Sequence, residues 1–172
     1  CLMTSFGRAS HAAATENQEA KLSPSRFPSV QLTALDQSKK VSLPLSNKAS
    51  FLAIGFHPDK QPQLEKAMAL AQSHFKASKQ AVSIIEVPVI EASRFPNNAV
   101  TRFFMKQQVK NKVFLDLVYP YYTNLRAFQG RLGLSESETM LLLLVDRSGY
   151  VVWSKKSSPT ESDIKSWNVL LG

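Results

Sequence analysis

The sequence predicts an α/β domain in which a mixed β-sheet is flanked by helices. Two continuous apolar runs, residues 51–56 and 140–145, are typical of strands that are covered on both faces. Around these runs, apolar residues recur at the three- and four-residue spacing of helices. After the second run, a tight turn over 146–149 leads into another strand, which predicts an antiparallel pair. Strands that alternate with helices and close on a hairpin indicate a mixed sheet.

The first half of the chain contributes a hairpin, two buried strands and a helix. A polar turn between two apolar segments predicts a β-hairpin ahead of the main sheet. Helical spacing of apolar residues follows the first buried strand, and Pro88 is expected to close the second one. The predicted elements are a hairpin over residues 30–43, a strand over 51–56, a helix over 61–78 and a strand over 82–87.

The second half predicts three helices and the closing hairpin. Pro120 is expected to end the short extended segment over 113–119. Gly133 suits the C-terminal cap of the helix predicted over 122–132. The segment Ser-Pro-Thr-Glu at 158–161 is typical of a helix start. The predicted elements are a helix over 97–110, an extended segment over 113–119, a helix over 122–132, strands over 140–145 and 150–153, and a helix from 158.

Composition excludes several classes of site. The 172 residues suit one domain with a tail, and one cysteine rules out an internal disulfide, a CxxC pair and a cysteine-rich zinc site. The three histidines lack the spacing of metal ligands, so neither a metal nor another cofactor is predicted. A formal charge of +8 favours an acidic partner, which can be a protein face, an anionic lipid or a nucleic acid.

Residues 1–28 are predicted to form a flexible tether, and residues 29–172 the folded domain. The first segment is rich in Ser, Ala, Thr, Asn and Gln and has few large apolar residues. Cys1 ahead of such a tether resembles the lipid-carrying N-terminus of a mature bacterial lipoprotein. The alternatives are a fragment of an organellar precursor and a truncation that leaves Cys1 without a role. No apolar run is long enough to span a bilayer.

The surplus of positive charge is concentrated between Arg94 and Arg131. Seven basic residues and one acid, Asp116, lie in this window. Four-residue spacing places three of the basic residues on one face of the predicted helix over 97–110. Two tyrosines and an arginine follow this helix in the sequence. The face can be simply solvated or can form, with the aromatic cluster, a protein-binding surface. The candidate partner-binding residues are Arg102, Lys106, Lys110, Tyr121, Tyr122 and Arg126.

Three segments carry a resemblance to a known fold. The leading hairpin VQLTALDQSKKVSLP, the strand FLAIGF and the closing LLLLVDRSGYVVW resemble the redoxin branch of the thioredoxin-like superfamily over residues 29–172. The closing segment also resembles a mitochondrial assembly-factor family of the F-type ATP synthase, whose thioredoxin-like domain lacks the redox cysteines. The matching residues are Leu144, Val145, Asp146, Gly149 and Trp153, with Glu161 and Leu170 beyond them.

The resemblance fails at the position of the redox chemistry. A redoxin has its nucleophilic cysteine in the turn after the first core strand, where this sequence has His57, Asp59 and Lys60. Glu138 and Thr139 stand where a proline usually precedes the strand of the closing hairpin. A His and an Asp two residues apart can act as a base or a weak metal site. The alternative is that both are turn and cap residues, a role that suits Asp59.

Three hypotheses of function follow. The first is a redox-inactive thioredoxin-like domain that is tethered to a membrane, binds proteins and assists the assembly or maturation of a complex. The second is an enzyme that uses the turn of His57 and Asp59 without a thiol. The third is an anionic-surface binder that acts through the basic helix, with nucleic acid the least favoured target because no RNA-binding signature is present. The expected location is the periplasm or the membrane as a lipoprotein, and the alternative is the mitochondrial inner membrane.

Overall fold

A computed structural model describes residues 25–93 and 112–172. It contains a two-stranded antiparallel hairpin and a five-stranded mixed sheet. The strands are β1 (Val30–Thr33), β2 (Lys40–Leu43), β3 (Ala49–Gly55), β4 (Val82–Glu91), β5 (Tyr121–Thr123), β6 (Met140–Val145) and β7 (Val151–Lys155). The α-helices are α1 (Gln61–Ala77), α2 (Leu125–Arg131) and α3 (Glu161–Leu170), with 3₁₀ turns at Pro58–Lys60 and Lys112–Leu117.

The five-stranded sheet has the order β5-β4-β3-β6-β7. β3 lies parallel to β4 and antiparallel to β6, and β4 lies parallel to β5, so the sheet is mixed as predicted. Every residue of β3 and β6 is buried, which explains why these strands read as continuous apolar runs. The hairpin β1–β2 forms outside this sheet, with Val30 opposite Leu43.

Each face of the sheet has its own apolar core. On one face, α1 and α3 cover Phe51 and Leu142, and the fully buried indole of Trp167 lies 5.3 Å from the ring of Phe51. On the other face, the hairpin β1–β2 and α2 cover residues such as Leu52 and Leu143. Alternate residues of each strand therefore serve opposite layers, as the two-residue period of a strand requires.

Two predicted elements differ from the structure. β4 continues through Pro88 to Glu91. The Glu86 carbonyl points away from β3, and the N–H that Pro88 lacks would point to the same side. The missing N–H therefore removes no hydrogen bond to β3. The segment expected to be extended over 113–119 is instead largely the 3₁₀ turn Lys112–Leu117, and only Val118 bridges to β4. The helix predicted over 97–110 lies outside the described residues.

The chain enters the domain beside the β6–β7 turn. Ser25 accepts a hydrogen bond from the Val151 N–H at 2.9 Å, and the N–H of Phe27 donates to Gly149 at 2.9 Å. The Phe27 side chain is buried in the core under the hairpin. Residues 25–27, which composition groups with the tether, thus contact the domain directly.

Candidate functional site

The turn after β3 lies at the carboxyl end of that strand, where α/β folds commonly bind ligands. It brings together the three residues that the sequence places at the position of the redox motif, because the 3₁₀ turn Pro58–Lys60 runs directly into α1. The N–H of Phe56 donates to the Thr139 carbonyl at 2.9 Å, so the segment ahead of β6 also borders the turn.

His57 and Asp59 form a local cap. Nδ1 of His57 accepts a hydrogen bond from the Asp59 N–H at 3.3 Å and lies 3.3 Å from Oδ2 of Asp59. The two side chains are 53% and 82% exposed. The Lys60 N–H donates to the His57 carbonyl at 3.1 Å, which closes the turn. The cap is set by His57 rather than by Asp59, the residue that sequence reasoning favoured.

The chemical capacity of this pair is limited by its surroundings. A catalytic base needs a third group that orients it and a site that excludes water. Solvent reaches both side chains of the pair. The described residues contain no group of three or more His, Cys, Asp or Glu side chains that could hold a metal ion.

A buried carboxyl lies below the start of α1. Glu86 in β4 is 1% exposed, and burial raises the pKa of its carboxyl to about 7. A hydrogen bond from Gln61 opposes the increase in pKa, and the charge of Glu65 adds to it. Within the described part of the chain, Oε2 of Glu86 has no hydrogen-bond partner. Sequence reasoning missed this residue, although it is the only charged residue in the otherwise largely apolar run 82–90.

The first turns of α1 pack closely on the end of β3. A Cβ atom on Gly55 would lie 2.7 Å from Cδ1 of Leu64, so the helix approaches the strand at van der Waals distance. Nε2 of Gln61 also donates a part-buried hydrogen bond of 3.3 Å to Oε1 of Glu65, one turn further along this helix. The scaffold that presents a reactive thiol in a redoxin is thus formed here, but this part of the sequence contains no cysteine.

The aromatic and basic candidates of the second half are largely engaged within the domain. Tyr121 packs against Phe128 with ring centroids 5.0 Å apart, and Tyr122 is half-buried in β5 opposite Ile90. Arg126 binds Glu136 through two contacts of 2.7 Å. Tyr121 and Arg126 thus have contacts within the domain, and a partner-binding role for the three residues stays a prediction.

Arg102, Lys106 and Lys110 lie outside the described residues, as does Cys1. In residues 25–93 and 112–172, no helix has both the length and the apolar character needed to cross a bilayer.

The strand order, the two helices on one face and the turn after β3 define a thioredoxin-like fold, as the sequence predicted. BsSco, a member of the Sco family of cytochrome c oxidase assembly proteins, is similar with a TM-score of 0.58 and 17% identity over 86% of this chain and 95% of that one. The pneumococcal exposed lipoprotein thioredoxin Etrx1 from Streptococcus pneumoniae has a TM-score of 0.56 and 13% identity over 83% and 98% of the two chains.

A secreted thiol-disulfide isomerase from Corynebacterium glutamicum has a TM-score of 0.57 and 13% identity, and the match covers 97% of this chain and 96% of that one. At these identities the likeness concerns the fold alone. No protein-family model matches the chain. No curated protein matches it in sequence.

Proposed function

We propose that the protein is a redox-inactive thioredoxin-like domain that binds a protein partner and assists the assembly or maturation of a complex. The observation that carries this proposal is the turn after β3, where His57, Asp59 and Lys60 occupy the position of the thiols. Thiol–disulfide exchange requires a thiolate that attacks a sulfur, and the domain supplies none. A scaffold without its reactive group retains only its surfaces, which favours a binding role.

The proposal includes a location and a class of partner. A tether ahead of the domain, with lipid on Cys1, would hold it at the outer face of a bacterial membrane. The mitochondrial inner membrane is the alternative. Among the similar structures, one is named as an assembly protein and one as a lipoprotein, which is consistent with this proposal. A membrane complex such as the F-type ATP synthase is the partner class that the closing LVD…G…W segment suggests.

The first experiment measures insulin reduction and peroxide turnover by the full chain. We expect neither activity, in the wild type or in His57→Ala. The double variant His57→Cys, Lys60→Cys places two thiols next to the start of α1 and should gain insulin reduction, because helix N-termini lower thiol pKa values. Turnover by the wild type that is lost in His57→Ala would instead establish the enzyme hypothesis.

The second experiment addresses binding and tethering. The full-length precursor, tagged at its C-terminus, is expressed in cells and cross-linked before the membranes are solubilised. We expect one defined complex to be recovered with the wild type and with His57→Ala. In Cys1→Ser, we expect the protein to leave the membrane fraction. If no specific protein is cross-linked, or if Cys1→Ser keeps its distribution, the binding role or the lipid tether, respectively, is wrong.

A further inference from the structure

An open cavity of about 680 Å³ lies at the end of the sheet opposite the His57 turn. It lies between the β2–β3 segment, the C-terminal end of α1 and the start of β4. β3 has seven residues, so roughly 20 Å separates this end of the sheet from the turn. The cavity is therefore distinct from the position of the lost redox motif.

The walls of the cavity are partly apolar and its rim is basic. Its walls include Phe75 and Tyr119, which are both nearly buried. Lys39, Lys48 and Lys76 contribute three exposed positive charges from three separate segments, against the single acid Asp116. Because these charges come from different segments, they converge only in the folded domain. Such a rim attracts an acidic ligand.

Two further observations concern hydrogen bonds at the cavity. Oε1 of Gln80 is buried and accepts no hydrogen bond within residues 25–93 and 112–172. Residues 82–85 of β4 border the cavity, and in the described chain no strand pairs with them on the side away from β3, because β5 begins its pairing at Val89. A strand edge of this kind is the template for the addition of an extended peptide.

We propose that this cavity, which we call the lysine groove, binds an extended acidic segment of the partner protein beside β4. Acidic side chains of the segment face Lys39, Lys48 and Lys76, and its alternate apolar side chains contact Phe75 and Tyr119. A backbone N–H or a side-chain donor of the segment donates a hydrogen bond to Oε1 of Gln80. This inference rests on the proposed binding function and assigns it a surface.

The test uses two blocked decapeptides, one that alternates Glu and Val and one that alternates Lys and Val, each labelled for fluorescence anisotropy. We expect the acidic peptide to bind the wild type and the basic peptide not to bind. Lys48→Glu or Lys76→Glu should weaken the binding of the acidic peptide about five- to tenfold. The matched control is Lys66→Glu, an exposed lysine of α1 that does not line the groove, and it should keep the wild-type affinity.

Amide chemical shifts locate the peptide. Titration of the acidic peptide should shift the amides of Gln80, Ser83 and Ile84, with those of the His57 turn unchanged. Shifts confined to the turn, equal binding of both peptides, or equal losses in Lys66→Glu and Lys76→Glu would each overturn the proposal. Two further results would overturn the proposal. One is that decanoate, a fatty acid, displaces the peptide and binds more tightly than it does. The other is that sedimentation shows a dimer in which a second copy of the chain covers the groove.

The cross-linked partner separates this inference from the proposed function. If the wild type recovers a partner and Lys48→Glu with Lys76→Glu recovers the same amount, the domain binds proteins but the lysine groove is not the site. If the double variant loses the partner and Lys66→Glu retains it, the groove assignment is supported. Failure of the proposed function is recognised by wild-type insulin reduction or by the absence of any partner.

Discussion

The carboxylate of Asp163 accepts a hydrogen bond from the ammonium of Lys155 at 2.6 Å, which ties the start of α3 to β7. The same carboxylate accepts hydrogen bonds from Thr160 and from the indole N–H of Trp153. Burial alone would raise the pKa of Asp163, but these hydrogen bonds outweigh burial and lower it to about 2. One side chain therefore combines an ion pair with a capping box.

The first prediction concerns acid stability. Because the folded-state pKa of Asp163 lies below its usual value of 3.8, its contribution is present above pH 4 and is lost as the pH falls towards 2. Asp163→Asn should lower the free energy of unfolding by about 2 kcal/mol at neutral pH and flatten this acid dependence. Urea unfolding between pH 2 and 6 measures both effects.

The control for this prediction is Glu161→Gln, which removes an exposed acid from the first turn of the same helix. We expect it to change stability by less than about 0.5 kcal/mol. Equal losses of stability in the two variants would mean that the interaction of a negative charge with the helix dipole, rather than the contacts of Asp163, accounts for the effect.

The second prediction concerns Glu86 and has the opposite sign. Its folded-state pKa of about 7 lies above its usual value of 4.5, so its contribution to stability is fully present below pH 4.5 and is lost as the pH rises through 7. Glu86→Gln should remove this decrease and raise the free energy of unfolding at pH 8 by up to about 3 kcal/mol. Unfolding curves at several pH values test it, and an unchanged slope between pH 5 and 7 would contradict the prediction.

The third prediction compares two glycines with positive φ. Gly149 has φ +87°, and a Cβ atom there would lie 2.7 Å from Cγ of Pro44. Gly133 has φ +68° with open space around it. Gly133→Ala should destabilise by about 1 kcal/mol from backbone strain, and Gly149→Ala by about 2 to 3 kcal/mol because a steric clash is added. Thermal unfolding of both variants tests this order, which equal values would contradict.

The fourth prediction concerns the ion pair of Arg126 and Glu136. The contact is bidentate, but the side chains are 78% and 61% exposed, so solvent screens most of its energy. Arg126→Gln should change the free energy of unfolding by less than about 1 kcal/mol. It should also leave the affinity for the acidic peptide unchanged, since Arg126 does not line the lysine groove. A large loss of peptide binding would show that the ligand extends to α2.

The sequence predicted the elements whose pattern is local. Buried strands such as β3 and β6 are continuous apolar runs, and residue types alone placed the start of α3 within residues 158–161. The path through Pro88 was not predictable, because it depends on which side of β4 carries a partner strand. The 3₁₀ turn Lys112–Leu117 was missed for a similar reason, since within this part of the chain a bridge to β4 forms only after the turn, at Val118.

The site was predicted less completely than the fold. The position of His57 and Asp59 after β3 followed from chain order, but their exposure did not. Arg126 looked like a free cation because Glu136, its partner, lies ten residues away in sequence and reaches it only in the folded chain. The lysine groove joins residues from the hairpin, α1 and the 3₁₀ turn, so no single stretch of sequence contained its pattern.

The contact between Phe27 and Gly149 fixes the point at which the chain enters the domain. Val145, which leads into the Gly149 turn, pairs with Ser50 at the start of β3, the end of the sheet that borders the lysine groove. Whatever precedes Ser25 therefore joins the domain on the side of the groove. A peptide bound in the lysine groove would therefore lie at the same end of the sheet as the entry of the chain, and the His57 turn would lie at the other end.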